Sequence, residues 1–232
     1  MNAQKLSKRL ETVASFVPTG AVVADIGSDH AYLPCYLIHR NIVSKAIAGE
    51  VVKGPYESAL RQVKLEGLEE KVTVRLADGL EAIEDHDQVD TITIAGMGGP
   101  LIVSILEKNP KVLTSVTRLI LQPNIHAKVI REWALQNGWA LLDEVILEED
   151  EKIYEVLVLQ RGEMTLNEAE ILLGPHLIAE KSETFMKKWT REIENWKRVL
   201  QSIEQAEQTA EINEKRKELL HLIRLVEEAI KE

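Results

Sequence analysis

The chain has a single cysteine, Cys35, so no intrachain disulfide can form. A lone thiol suits a reducing compartment. The first residues, MNAQKLSKRLETVASF, lack the long apolar run of a secretory signal. No stretch approaches the roughly 20 apolar residues of a membrane span. These absences predict a cytoplasmic protein that stays out of the membrane. Aromatic side chains are scarce at 4% of the 232 residues, too few for an extended base-stacking platform. Positive charge is also short: 28 Lys and Arg face 38 Asp and Glu, a net charge of −10. That balance argues against blanket attraction to nucleic acid. No Cys and His spacing suggests a zinc site, and no metal is expected. There is no internal repeat and no low-complexity linker. What is there is 45% hydrophobic composition, enough for a folded chain of one or two domains.

Up to Gly162, β-rich runs alternate with helical ones. Residues 3–16 form an amphipathic helix with Leu6, Leu10, Val13 and Val17 on one stripe. Strands are expected at 21–26 (AVVADI), 45–50 (KAIAGE), 72–76 (VTVRL), 90–95 (DTITIA) and 118–122 (RLILQ). Helices are expected at 31–39, at 101–107, at 127–136, and from the first turn around Pro55 to Glu66. Residues 139–147 and 153–159 read as an antiparallel hairpin turning at EEDEK. Five strand–helix alternations predict a parallel sheet with helices on both faces. The loops after the strands then share one edge, where ligands bind near the switch point.

After Gly162 the periodicity is helical. Ile178, Phe185, Trp189, Ile193, Trp196, Leu200 and Ile203 recur at heptad-like spacing, as do Ile212, Leu219, Ile223, Val226 and Ile230. Residues 206–211 between them are polar enough for a turn. The expectation is one helix over about 177–205 and a second that folds back on it as an antiparallel coiled coil. The chain is thus divided into residues 1–161 and residues 162–232.

Chemistry-bearing residues gather after the strands. In VVADIGSDHAYLP, Gly27 follows the first strand, where a glycine lets backbone approach a ligand closely. Dinucleotide folds place GxGxxG here, but this loop has one glycine and Asp29. A pyrophosphate would meet that carboxylate, whereas a cofactor with a cationic centre would not be repelled. Ser28 or Asp29 could equally serve as ordinary helix caps. Glu50 ends the second strand, where a carboxylate can accept two ribose hydroxyls. Asp78, in LADGL, can accept from the exocyclic amine of an adenine, with the amides of Gly79 or Leu80 beside it. Singly, each carboxylate also reads as a solvated loop residue. IAGMGGP at 94–100 is nearly bare of side chains around Met97, and Gln122 and Asn124 in LQPN carry paired donors and acceptors.

Taken together, DIGSDHAYLP, AGE, LADGL, IAGMGG and LQPN resemble the bacterial tRNA adenine N1-methyltransferases of the TrmK type, which modify adenosine 22. The resemblance spans essentially the whole chain. It implies a class I, Rossmann-like methyltransferase sheet that uses S-adenosylmethionine, followed by a C-terminal α-helical antiparallel coiled-coil domain that helps hold tRNA. It implies that Asp25 and Gly27 approach the methionine part of the cofactor and Glu50 the ribose. Asp78, Gly79 and Leu80 would frame the adenine, with Gly96 and Met97 at the methyl-transfer point. Asp29 becomes the candidate catalytic carboxylate.

Adenine N1 has an in-plane lone pair, so alignment is the main task. Asp29 could accept a proton or stabilise the charge that develops on the base. His30 and Tyr32 could face or stack on an extruded adenine, or simply pack. No Asn- or Asp-Pro-Pro-aromatic segment follows the fourth strand, which disfavours methylation of the exocyclic amine. Lys187, Lys188 and Arg191 belong to six bases that meet only three acids over 181–198. With the Lys5, Lys8 and Arg9 cluster they are candidate phosphate contacts, or else a solvated helix face. The competing readings are a class I methyltransferase acting on another RNA, a protein or a small molecule, a non-catalytic RNA-binding adaptor, and a structural coiled-coil protein. The oligomeric state stays open, a monomer included.

Overall fold

The computed structural model describes residues 2–204 and 209–231. The chain divides into two compact units, Met1–Thr165 and Leu166–Glu232. Unit one holds seven strands: β1 (Val22–Ile26), β2 (Lys45–Glu50), β3 (Val72–Leu76), β4 (Thr91–Met97), β5 (Arg118–Pro123), β6 (Trp139–Glu149) and β7 (Lys152–Arg161). Five helices accompany them: α1 (Lys8–Ser15), α2 (Tyr32–His39), α3 (Lys53–Leu65), α4 (Gly99–Lys108) and α5 (Ala127–Gln136).

The strands form one sheet in the order β3-β2-β1-β4-β5-β7-β6. The first five are parallel, while β7 runs antiparallel to β5 and to β6. Successive side chains leave a strand on opposite faces, and the two cores follow that alternation. Val23, Ile120 and Val158 join Val13 of α1, Leu33 and Leu37 of α2 and Val63 of α3. Ala24, Leu119, Leu121, Leu157 and Leu159 join Ile102 and Leu106 of α4 and Ile130 and Trp133 of α5. Burial on both faces is why these strands read as continuous apolar runs. The β6–β7 turn tightens to Asp150 and Glu151, both at positive φ (48° and 63°), the primed geometry that matches strand twist.

Helix α1 is shorter than the stripe over 3–16 predicts. Ser7 caps it by accepting from the Leu10 N–H. Asn2 ties the preceding residues into a turn by accepting from the N–H groups of Gln4 and Lys5.

Unit two contains α6 (Glu168–Leu173), α7 (Pro175–Glu180), α8 (Glu183–Glu204) and α9 (Ala210–Lys231). The single helix expected over 177–205 is two. Lys181 takes a left-handed conformation (φ 47°) and closes α7, and the Ser182 hydroxyl accepts from the Phe185 N–H at the start of α8. The break moves the buried position of α7 from Ile178 to Leu177. Sequence periodicity also overlooks α6, whose signal is the reciprocal Asn167–Glu170 capping box. Phe185, Trp189, Ile193 and Leu200 of α8 are buried, as are Leu219, Ile223 and Val226 of α9. The two helices pack on one another, with Lys197 Nζ 2.7 Å from Glu227 Oε1. Of the turn expected over 206–211, positions 206–208 lie outside the described residues, and Ala210 and Glu211 already belong to α9. Among the described residues no helix is long and apolar enough to cross a membrane.

Candidate active site

Strand order reverses between β1 and β4, so the crevice beyond their carboxyl ends is the switch point. The two loops that meet there touch. Gly27 has φ +71°, and a Cβ built on it would stand 2.1 Å from Met97 Cε. The backbone conformation therefore favours glycine, and a side chain there would have to displace the tip of Met97. The N–H groups of Gly27 and Ser28 donate to the Gly49 carbonyl, at 2.9 and 3.2 Å, which ties the loop to the end of β2.

Three non-glycine residues in succession then adopt left-handed backbone: Asp29 (φ 33°), His30 (65°) and Ala31 (52°). Such a run stores strain that its surroundings must hold. Glu50 helps hold it, accepting the Asp29 N–H on Oε1. The turn leaves the Asp29 side chain 71% exposed, with its Oδ1 3.5 Å from His30 Nε2. The His30 ring stacks on Tyr32 at 5.2 Å and 17°. The loop thus presents a carboxylate, an imidazole and a phenol side by side.

Beneath it, Asp25 is buried and accepts from Ser28 Oγ (2.6 Å) and Thr93 Oγ1 (2.7 Å). Burial pushes its carboxyl up to about 6, against the pull of those two hydroxyls, and Glu50 adds to the rise. The Glu50 carboxyl is raised as well, chiefly by burial, with the Asp29 N–H opposing.

The segments IAGMGG and LQPN form a single clamp. Gly96, at φ +79°, donates its N–H to Gln122 Oε1 (3.0 Å) and accepts at its carbonyl from Asn124 Nδ2 (2.8 Å). The Asn124 N–H donates to the Met97 carbonyl (2.7 Å). A Cβ on Gly99 would meet the His126 carbonyl oxygen at 2.2 Å, so that glycine lets the start of α4 seat against the loop after β5.

The expected role of Gln122 changes. Gln122 is fully buried, its carbonyl taken by Gly96 and Arg9 and its amide donating to the Pro123 carbonyl. It fixes the Gly96–Met97 loop instead of meeting a base. Asp78, the candidate adenine contact, has its Oδ2 2.5 Å from Lys108 Nζ. Its neighbour Gly79 is at φ +58° against Ile105, and Leu80 is buried. Sequence reading misses Thr93 outright and gives Arg9 and Ser28 other roles, a phosphate contact and a helix cap. Arg9 donates to Gln122 Oε1, and Thr93 and Ser28 hold Asp25. A hydroxyl inside the apolar run of β4 is the one signal that could have found Thr93.

Lys187, Lys188 and Arg191 lie on α8 in unit two, with Lys188 Nζ 4.7 Å from the Trp189 ring centroid and Arg191 exposed. In the same stretch Lys197 is committed to Glu227 and Arg198 donates to Asn195. Among the described residues no cluster of His, Cys, Asp and Glu could hold a metal.

The residues at the switch point fit S-adenosylmethionine. A bare glycine turn leaves room for backbone approach, a carboxylate ends β2, and buried Asp25 has no basic side chain among its hydrogen-bond partners. This sheet, with its reversed final strand and acidic, glycine-turned edge, defines a class I methyltransferase with a Rossmann-like fold. The chain belongs to the TrmK family, tRNA (adenine(22)-N(1))-methyltransferase, whose family model matches residues 23–228. It is 52% identical, over 99% of both chains, to the tRNA (adenine(22)-N(1))-methyltransferase of Bacillus subtilis. The crystal structure of the B. subtilis m1A22 tRNA methyltransferase TrmK superposes with a TM-score of 0.93 at 51% identity, covering 98% of this chain and 99% of that one. A Streptococcus pneumoniae putative tRNA (m1A22) methyltransferase in complex with S-adenosyl-L-methionine superposes at 0.90 with 46% identity, covering 97% and 100%.

Proposed function

We propose that this protein transfers a methyl group from S-adenosylmethionine to N1 of adenosine 22 in tRNA, giving 1-methyladenosine in the cytoplasm. Full-length identity of 52% to an enzyme of that name supports the substrate. The single structural observation that carries the mechanism is the left-handed turn that exposes Asp29 beside the Gly27–Met97 contact.

When bound, S-adenosylmethionine supplies an electrophilic methyl on a sulfonium. Asp25 and the Gly27 turn hold the methionine end, Glu50 the ribose, and the Gly79–Leu80 backbone the adenine, with Asp78 joining if it exchanges Lys108 for the base. Gly96 and Met97 border the transfer point, held there by Gln122 and Asn124. Asp29 faces the incoming base, where its carboxylate stabilises the positive charge that N1-methylation creates or takes a proton from the exocyclic amine. The stacked His30 and Tyr32 flank the extruded adenine. The heptad pattern of α8 and α9 supports an antiparallel coiled coil, and Lys187, Lys188 and Arg191 on it are candidate tRNA phosphate contacts.

The test is methylation of unmodified tRNA transcripts with the modified atom mapped, in parallel with proteins as methyl acceptors. Label on adenosine 22 N1 is expected. Asp29→Ala should bind cofactor normally yet lose roughly 100-fold or more in turnover, and an unchanged rate would remove Asp29 from catalysis.

A further inference from the structure

Helix α1 begins under a carboxylate. Glu149 Oε1 accepts the Lys8 N–H at 2.5 Å, and its Oε2 accepts the Arg9 N–H at 3.4 Å. That anchor fixes where the Arg9 side chain goes. Its guanidinium donates from Nη1 to Gln122 Oε1, and its Cζ lies 5.3 Å from the centroid of the Tyr154 ring. Nη1 is also 3.4 Å from the point a Cβ on Gly96 would occupy. Gly96 adjoins Met97, which touches Gly27. A half-buried cation is therefore immobilised at the rim of the transfer point, between an amide oxygen and an aromatic face.

Both neighbours are neutral. Two other inward arginines are neutralised: Arg75 by Asp87 and Glu84, and Arg131 by Glu144 and Glu155. Among the described residues no carboxylate pairs with the Arg9 guanidinium, because the nearby Glu149 is spent on backbone N–H groups. In a chain of net charge −10, a pre-ordered cation without a counter-ion is an anion receptor. Of the five donors of a guanidinium, Gln122 engages one. The planar fork suits two oxygens of a phosphodiester. Glycine at position 96 leaves no side chain in front of it.

We infer that Arg9 binds a backbone phosphate next to the target adenosine. The inference rests on the functional reading above. A nucleotide leaving its stack swings about its two flanking phosphodiesters, so a fixed guanidinium beside the base pocket can hold one of them while Asp29 faces the base.

The experiment uses the full chain and tRNA carrying a single neutral methylphosphonate immediately 5′ or 3′ of the target adenosine. Arg9→Gln should raise the tRNA Kd roughly tenfold, the scale of one charge-assisted hydrogen bond, and leave affinity for S-adenosylhomocysteine unchanged. One of the two methylphosphonates should weaken wild-type binding by a similar factor and leave Arg9→Gln unaffected. Arg9→Lys should fall between. The inference is overturned if neither methylphosphonate weakens the wild type, a measurement that does not depend on any variant folding. It is equally overturned if the penalty persists in Arg9→Gln, or if Arg9→Gln lowers kcat at unchanged tRNA affinity, which would mean that Arg9 only positions Gln122. Wild-type protein that leaves unmodified tRNA unmethylated overturns the functional reading itself, a result distinct from all of these.

Discussion

Asp25 is an acid enclosed by apolar strands, held by the Ser28 and Thr93 hydroxyls. Its carboxyl sits at about 6 against an ordinary 3.8, above all because burial disfavours the charged form. A folded-state value above the unfolded one means that the folded protein holds the proton more tightly. Asp25 then favours folding most below about pH 4, and this contribution is lost as pH rises to about 6, on the order of 3 kcal/mol in all. Asp25→Asn keeps hydrogen-bonding capacity for both hydroxyls and removes the titration. The expected outcome in thermal melts is a variant that gains on wild type from about pH 4 to about pH 6 and holds that difference above it. A difference that stays constant over that range would show that Asp25 is ionised in the folded protein throughout. The position of Asp25 was legible in the sequence, as a carboxylate before the glycine turn. Its partner Thr93 was not, because it lies on a neighbouring strand and only sheet register brings the two together.

At the scale of elements, the hairpin β6–β7 carries a buried charge cluster that no motif announced. Arg131 of α5 is fully buried, 2.6 Å from both Glu144 of β6 and Glu155 of β7. Burial lowers the affinity of its guanidinium for the proton, but the two carboxylates outweigh this and raise it. Removing one member strands the others without water. Arg131→Met should cost about 3–5 kcal/mol in urea unfolding, and replacing the two glutamates by leucine as well should recover most of it. A small loss for Arg131→Met would mean that water reaches the site. The helix–strand alternation itself was readable residue by residue, since apolar runs of β length and helical stripes are local signals. The break between α7 and α8 was not, because the apolar spacing continues across Lys181, and only a left-handed backbone with a serine cap interrupts it.

For the molecule as a whole, a net charge of −10 and a nucleic-acid substrate are compatible if contacts are few and local. Lys187, Lys188 and Arg191 are the group to test. Changing all three to Glu should weaken tRNA binding and flatten the dependence of log Kd on log salt by ~2–3 units. Binding that keeps its strength and slope would take this patch out of the interface.

The order of strands and helices up to residue 161, the acidic edge and the family membership were determined by sequence alone, since each is carried by local patterns or by motifs contiguous in the chain. Tertiary structure decided what those motifs do to one another. It set Met97 over Gly27, joined IAGMGG to LQPN through Gln122 and Asn124, and aimed Arg9 at the same loop. These contacts link residues far apart in sequence, and they exist only once parallel pairing fixes the register of β1, β4 and β5 and the helices cover both faces.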